Sequence, residues 1–224
     1  MSGSFKKIII VFFVILIFIA GIIILKVALT KKTIIPNNKT YNIGELIISI
    51  PETEMDSYPV VYVFGGINYA TPEWMFSQVP KELLYNTICV FCLYKKSVIN
   101  AVSEASDFFS KNNLTLGNVS IMGFSAGALN VQKAFSDTFK FVGLIDPSTS
   151  EIFLNIRFNK NTKMVYNDAN WGDLSGIQKI LPKLAKQINL SGGEAEKVNL
   201  KHDKIPKYFF QKYLHELIEN KIEN

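Results

Sequence analysis

The residues Gly123-Phe124-Ser125-Ala126-Gly127 stand where an apolar, β-branched run gives way to a helix-like one, and this junction limits the folds open to the chain. Asn118, Val119, Ser120, Ile121 and Met122, entered from Leu116-Gly117, suit a buried strand. Ala128, Leu129, Val131, Ala134 and Phe135 recur at short spacings, as on the inward face of a helix. A GxSxG pattern between the two suits a sharp strand-to-helix turn that lifts the serine hydroxyl clear of the backbone. The small residues Gly123, Ala126 and Gly127 fit it, because such a turn crowds strand against helix and strains the serine. The plainer alternative is a glycine-rich turn whose serine caps the helix.

Strand-like and helix-like stretches alternate on both sides of this junction. Strands are expected at 46–50, 59–64, 87–93, 118–122, 140–145, 163–166 and 196–200, and helices at 71–84, 98–112, 174–188 and 205–222. Thr71-Pro72-Glu73 marks a helix start, with a capping threonine and proline in the first turn. Such alternation implies an α/β fold, a mainly parallel, doubly wound sheet flanked by helices on both faces.

The hydrophobic 48% of the chain is unevenly spread, and part of it lies outside this domain. Residues 8–25 are an uninterrupted run of 18 apolar or glycine residues, with Lys6 and Lys7 before it and Lys26, Lys31 and Lys32 after it. As a helix it would be ~27 Å long, close to the thickness of a hydrocarbon core. A cleaved signal peptide would have a shorter apolar region and a small-x-small cleavage site, neither of which is found. The expected organisation is a short tail (1–7), one transmembrane anchor (8–29), a polar linker (30–42) and an α/β domain (43–224). The lipid bilayer is thus an expected partner. With lysines on both sides of the run orientation is weakly determined, and an exoplasmic domain is the simpler expectation.

Five lysines flanking the run account for the net charge of +5, since 24 basic residues less these five leaves 19 against 19 acidic ones. The domain is therefore neutral, which argues against nucleic-acid binding. Cys89 and Cys92 have CxxC spacing but lie in one strand-like run, where residues three apart face opposite ways. Two buried thiols are expected, with neither a disulfide nor a shared metal. The sequons at Asn38, Asn113, Asn118 and Asn189 do not identify a compartment.

A serine nucleophile needs a base, and the chain holds two histidines. His215 falls inside the closing helix and reads as a packing or surface residue, whereas His202 follows the last expected strand and is the candidate base. Over about residues 43–222 the chain resembles a small α/β-hydrolase. GxSxG sits on that fold's fifth strand and His202 after its eighth, and the nucleophile, acid, histidine order is that family's. Phe64-Gly65-Gly66-Ile67 is similar to the family's turn after the third strand, with Phe64 in place of a histidine. The resemblance implies that the backbone N–H of Gly66, or of Ile67, joins that of Ala126 in an oxyanion hole.

For the acid, the resemblance leaves three aspartates. Gly143-Leu144-Ile145-Asp146-Pro147 is similar to the acid-bearing segment of the pancreatic-type lipases and puts Asp146 first. Asp168 and Asp173 follow the seventh strand, where most members carry the acid. There the expected glycine-x-x-aspartate spacing is absent, and by counting from the strand end Asn170 falls where the acid belongs.

The implied activity is hydrolysis of a small or amphiphilic ester through a Ser-His-Asp triad and an acyl-enzyme, without cofactor or metal. An acyltransferase or thioesterase using the same residues, and a non-catalytic α/β-hydrolase-like binding module, are the alternatives. Tyr69, Trp74 and Phe76 are candidates to line an acyl pocket, and residues 148–161 are too few for a large lid.

Overall fold

The computed structural model describes residues 38–171 and 176–218. Its strands are β1 (Asn38–Ile43), β2 (Leu46–Pro51), β3 (Tyr58–Phe64), β4 (Ile88–Cys92), β5 (Leu116–Phe124), β6 (Phe141–Ile145), β7 (Thr162–Tyr166) and β8 (Glu194–Lys197). They form one sheet in the order β1-β2-β4-β3-β5-β6-β7-β8. β1 and β2 are antiparallel, β2 is antiparallel to β4, and every later pairing is parallel.

Helices α1 (Pro72–Gln78), α2 (Lys81–Asn86), α3 (Val98–Lys111), α4 (Gly127–Lys133), α5 (Ile177–Leu190), α6 (Ile205–Lys212) and α7 (Leu214–Ile218) cover the sheet. Alternate strand residues feed two separate cores, as the period of two requires. Val60, Tyr62 and Phe64 pack with Ala101, Ala105 and Phe109 of α3 and Leu181 and Leu184 of α5. Val61 and Val63 pack with Met75 of α1, Leu83 of α2, Phe209 of α6 and Leu217 of α7. Cys92 belongs to the first core and Cys89 to the second, so the two thiols lie on opposite faces. Both are free and buried, and burial pushes both thiols well above their ordinary range.

Several boundaries differ from those expected. Residues 38–42, read as the end of a linker, belong to β1. Its half-exposed, asparagine-rich pattern is that of an edge strand rather than a buried one. The single helix expected over 71–84 is broken at Val79, extended at φ −80° and ψ 132°, because Pro80 disfavours helical backbone in the residue before it. The last strand is Glu194–Lys197 rather than 196–200, and the closing helix is divided at Tyr213. The apolar run 8–25 lies outside the described residues; among the described residues no helix is long and apolar enough to cross a membrane.

Candidate active site

Parallel strands deliver their carboxyl ends to one edge of the sheet, and Gly66, Ser125, Asp146 and His202 lie along it. β5 ends at Phe124, and Ser125 turns with φ 54°, a conformation that costs a side chain energy and here swings the residue off the strand line. The turn is held on both sides. Ser125 N–H donates to Ile145 O at 3.0 Å, and Ser148 N–H donates to Ser125 O at 2.9 Å.

Close approach explains the glycine in the last place of GxSxG. A Cβ on Gly127 would sit 2.2 Å from Gly65 O and 2.5 Å from Phe64 O, so only glycine lets α4 start against the end of β3. The same proximity brings the turn after β3 to the serine. A Cβ on Gly66 would lie 3.0 Å from Ser125 Cβ. Ala126 precedes the first turn of α4 and carries one of the N–H groups that a helix leaves without an internal partner. Ile67, the other expected donor, follows Gly66 on the exposed side of the turn, its side chain half exposed.

β6 ends one residue before Asp146, which also has positive φ, 38°, while its N–H donates to Val165 O at 2.7 Å. Its carboxylate is fully buried and surrounded by donors. Asn167 N–H reaches Oδ1 at 2.9 Å, Asn170 Nδ2 reaches Oδ2 at 2.9 Å, and His202 Nδ1 lies 2.6 Å from Oδ2. A buried carboxylate is tolerated only with such partners. His202, 28% exposed, opens a 3₁₀ turn (His202–Lys204) after β8.

The other expected acids stand apart from this arrangement. Asp168 pairs with Lys197 at 2.8 Å, on the partly exposed rim of the sheet. Asp173 lies outside the described residues. His215 is on the exposed side of α7, within the closing segment as expected.

Aromatic rings frame the imidazole. Phe124, the variable residue of the motif, tilts over His202 with centroids 4.5 Å apart, and Trp171 meets it edge-on at 5.2 Å. Trp74 packs on Phe124 at 5.6 Å and Tyr69 on Trp74 at 5.1 Å, extending the wall toward solvent. Burial, then the charges of Asp203 and Asp146, push the Tyr69 hydroxyl above its ordinary range, which puts it within the field of the site. Phe76 is set against Phe91 in the core instead. Between β6 and β7 there is only a short 3₁₀ helix, Glu151–Asn155.

Sequence reasoning did not identify Trp171, Asn167 or the donor role of Asn170. For Asn170 a signal existed, an amide at the place where an acid was expected.

No protein-family model and no curated protein sequence matches the chain. Similar solved structures include Est1E from Butyrivibrio proteoclasticus, with a TM-score of 0.54 and 12% identity over 81% of this chain and 99% of that one. A predicted CIB-like hydrolase from Thermoplasma acidophilum gives 0.52 and 15% over 82% and 98%. A thermostable esterase gives 0.51 and 13% over 82% of this chain and 62% of that one. At such identities the likeness establishes a shared fold.

Proposed function

We propose, proceeding from the α/β-hydrolase fold of this chain, that it is a serine hydrolase of ester bonds in which Ser125 is the nucleophile, His202 the base and Asp146 the acid. The observation that carries this reading is the contact of 2.6 Å between His202 Nδ1 and the buried Asp146 carboxylate, at the sheet edge where Ser125 stands on its positive-φ turn. Esterases among the structural neighbours add support.

In this reading His202 Nδ1–H donates to Asp146, which leaves Nε2 to take the proton of Ser125 Oγ as it attacks the ester carbonyl. The developing oxyanion is held by the N–H of Ala126 and that of Gly66 or Ile67. Collapse breaks the bond to the alcohol, which leaves with the proton from His202. Water, deprotonated by the same nitrogen, then attacks the acyl-enzyme and frees the acid and Ser125. The Asp146 carboxylate stabilises the imidazolium. Phe124, Trp74 and Tyr69 supply an apolar wall for the acyl or alcohol portion, and residues 8–29 anchor the enzyme in a bilayer, with its domain on the exoplasmic side.

A fluorophosphonate probe tests this directly. Wild-type protein is expected to be labelled at Ser125, with labelling abolished in Ser125→Ala and sharply reduced in His202→Ala. Unlabelled wild type would overturn the reading.

A further inference from the structure

We infer that Asn170 is a positioning residue: its side-chain amide ties Asp146 to the segment carrying His202 and so fixes the imidazole as the Nδ1–H tautomer. The kinetic part of this inference rests on the hydrolase reading; the structural part does not.

The amide nitrogen of asparagine has two hydrogens, and both have a partner here. One reaches Asp146 Oδ2 at 2.9 Å, and the other Leu200 O at 3.0 Å. Leu200 lies two residues before His202, on a stretch that follows β8 without regular structure. Val198 N–H still donates to Tyr166 O at 2.9 Å, and beyond that point the carbonyl of Leu200 is gripped by Asn167 Nδ2 at 2.9 Å as well as by Asn170. Two side-chain amides from one turn after β7 therefore hold the loop that delivers the histidine.

An amide at 170 supplies one donor to each of two acceptors. Asp146 Oδ2 accepts from Asn170 and from His202 at once, and the imidazole can donate there only through a protonated Nδ1. An aspartate at 170 has nearly the same shape but no hydrogen to offer either acceptor. It would also set a second carboxylate against a buried one. Asn167 differs from Asn170 in a useful way. Its contact with Asp146 is through backbone N–H, while its side chain holds the loop through Nδ2 and accepts from Ala169 N–H through Oδ1. Comparing the two asparagines thus separates loop anchoring from contact with the acid.

Charged groups near the imidazole include Asp146 at the end of β6 and, on its own segment, Lys201 and the Asp203–Lys204 pair. Each is present in all variants below except where Asp146 is itself replaced.

The experiment is NMR of the full-length chain in detergent micelles with ¹⁵N-labelled histidine, His202 being assigned by comparison with His215→Gln. Wild type is expected to show His202 as the Nδ1–H tautomer with a far-downfield proton resonance. In Asn170→Ala and Asn170→Asp that resonance is expected to broaden or vanish and the tautomer to become mixed, while Asn167→Ala keeps the tautomer. In ester turnover, kcat of Asn170→Ala is expected to fall at least about tenfold with KM within about twofold, and adding it to Asp146→Asn to cost no more than Asp146→Asn alone. An unchanged resonance and tautomer in a folded Asn170 variant would overturn the inference, as would losses that simply multiply with Asp146→Asn. Should Asn170→Ala fail to fold, Asn170→Asp and Asn170→Ser supply the comparison. A wild type that hydrolyses no ester would overturn the hydrolase reading alone, since the NMR result decides the positioning without turnover.

Discussion

Asp146 Oδ2 and His202 Nδ1 meet at 2.6 Å although 56 residues separate them in the chain. The contact joins the ends of two strands that are not neighbours, with β7 between them. Its donors leave neither carboxylate oxygen without a partner, whereas Asp168 gives its charge to the surface residue Lys197.

Asp146→Asn is accordingly expected to lower turnover of a p-nitrophenyl ester about 10³- to 10⁴-fold, because the histidine loses the acceptor that sets its tautomer. Asp168→Asn removes only a rim ion pair, worth at most about 1 kcal/mol, and turnover should stay within about twofold. Equal activity of the two variants would remove Asp146 from the proposed triad.

Gly66 and Gly127 should respond differently to an added methyl. In Gly66→Ala the new Cβ would lie 3.0 Å from Ser125 Cβ and 3.3 Å from Ala70 Cβ, a crowding that a small shift relieves. Turnover is expected to fall about 10²-fold, the scale of one lost oxyanion donor, in a protein that still folds. In Gly127→Ala the methyl would meet main-chain oxygens at 2.2 and 2.5 Å. Helix and strand must then separate, and loss of soluble folded domain is expected, a cost above about 4 kcal/mol. Thermal unfolding beside the kinetics distinguishes the two.

At Ser125 the backbone itself can be weighed. Both Ser125→Ala and Ser125→Gly abolish the hydroxyl, but only glycine is at ease at φ 54°. The glycine variant is expected to be the more stable by about 1 kcal/mol, or ~2–4 °C in Tm, the reverse of the usual order in regular structure. An alanine variant at least as stable would mean that the turn relaxes.

How far these features were legible in the sequence depended on burial. β3, β4, β5 and β6 run through the core, so their apolar, β-branched residues announced them, and the serine turn was marked by glycines whose neighbours are main-chain atoms. β1 and β8 are edges. Asn38–Ile43 is largely solvated, and three of the four residues of Glu194–Lys197 are charged, so neither shows the pattern of a buried strand. Val198 and Leu200 drew the expected last strand toward themselves because they are apolar, yet they pack against the core from beyond the ladder. The acid was ambiguous for another reason: three aspartates follow strands, and only tertiary geometry brings one of them to His202.

The acid end of the stability profile should report the β8 edge. Burial pushes the Glu194 carboxyl up, but hydrogen bonds from Lys212 and Tyr213 and the charges of Lys212 and Lys163 together hold it below the ordinary glutamate range. With a pKa lower folded than unfolded, the unfolded chain binds more protons in the window between the two values, so stability rises with pH there and levels off above it. The contribution of Glu194 is therefore full above about pH 4.3 and lost as pH falls through the depressed value. Urea unfolding is expected to show a constant gap between wild type and Glu194→Gln near neutrality, closing below about pH 4. A gap that widens in acid would contradict this.

Membrane anchoring has its own test. Full-length protein is expected to stay with membranes through carbonate extraction, and Leu16→Lys with Ile19→Lys to release it, since each charge at the centre of a span costs about 3 kcal/mol. Wild type extracted by carbonate would sink the anchor.

The charged last strand also governs what copies of this protein can do to one another. An open sheet edge invites another chain to add a strand, and polymerisation begins that way. On β8, Glu194 and Glu196 are held in place by Lys212, Tyr208 and Tyr213, and charged residues along an edge strand disfavour such an addition.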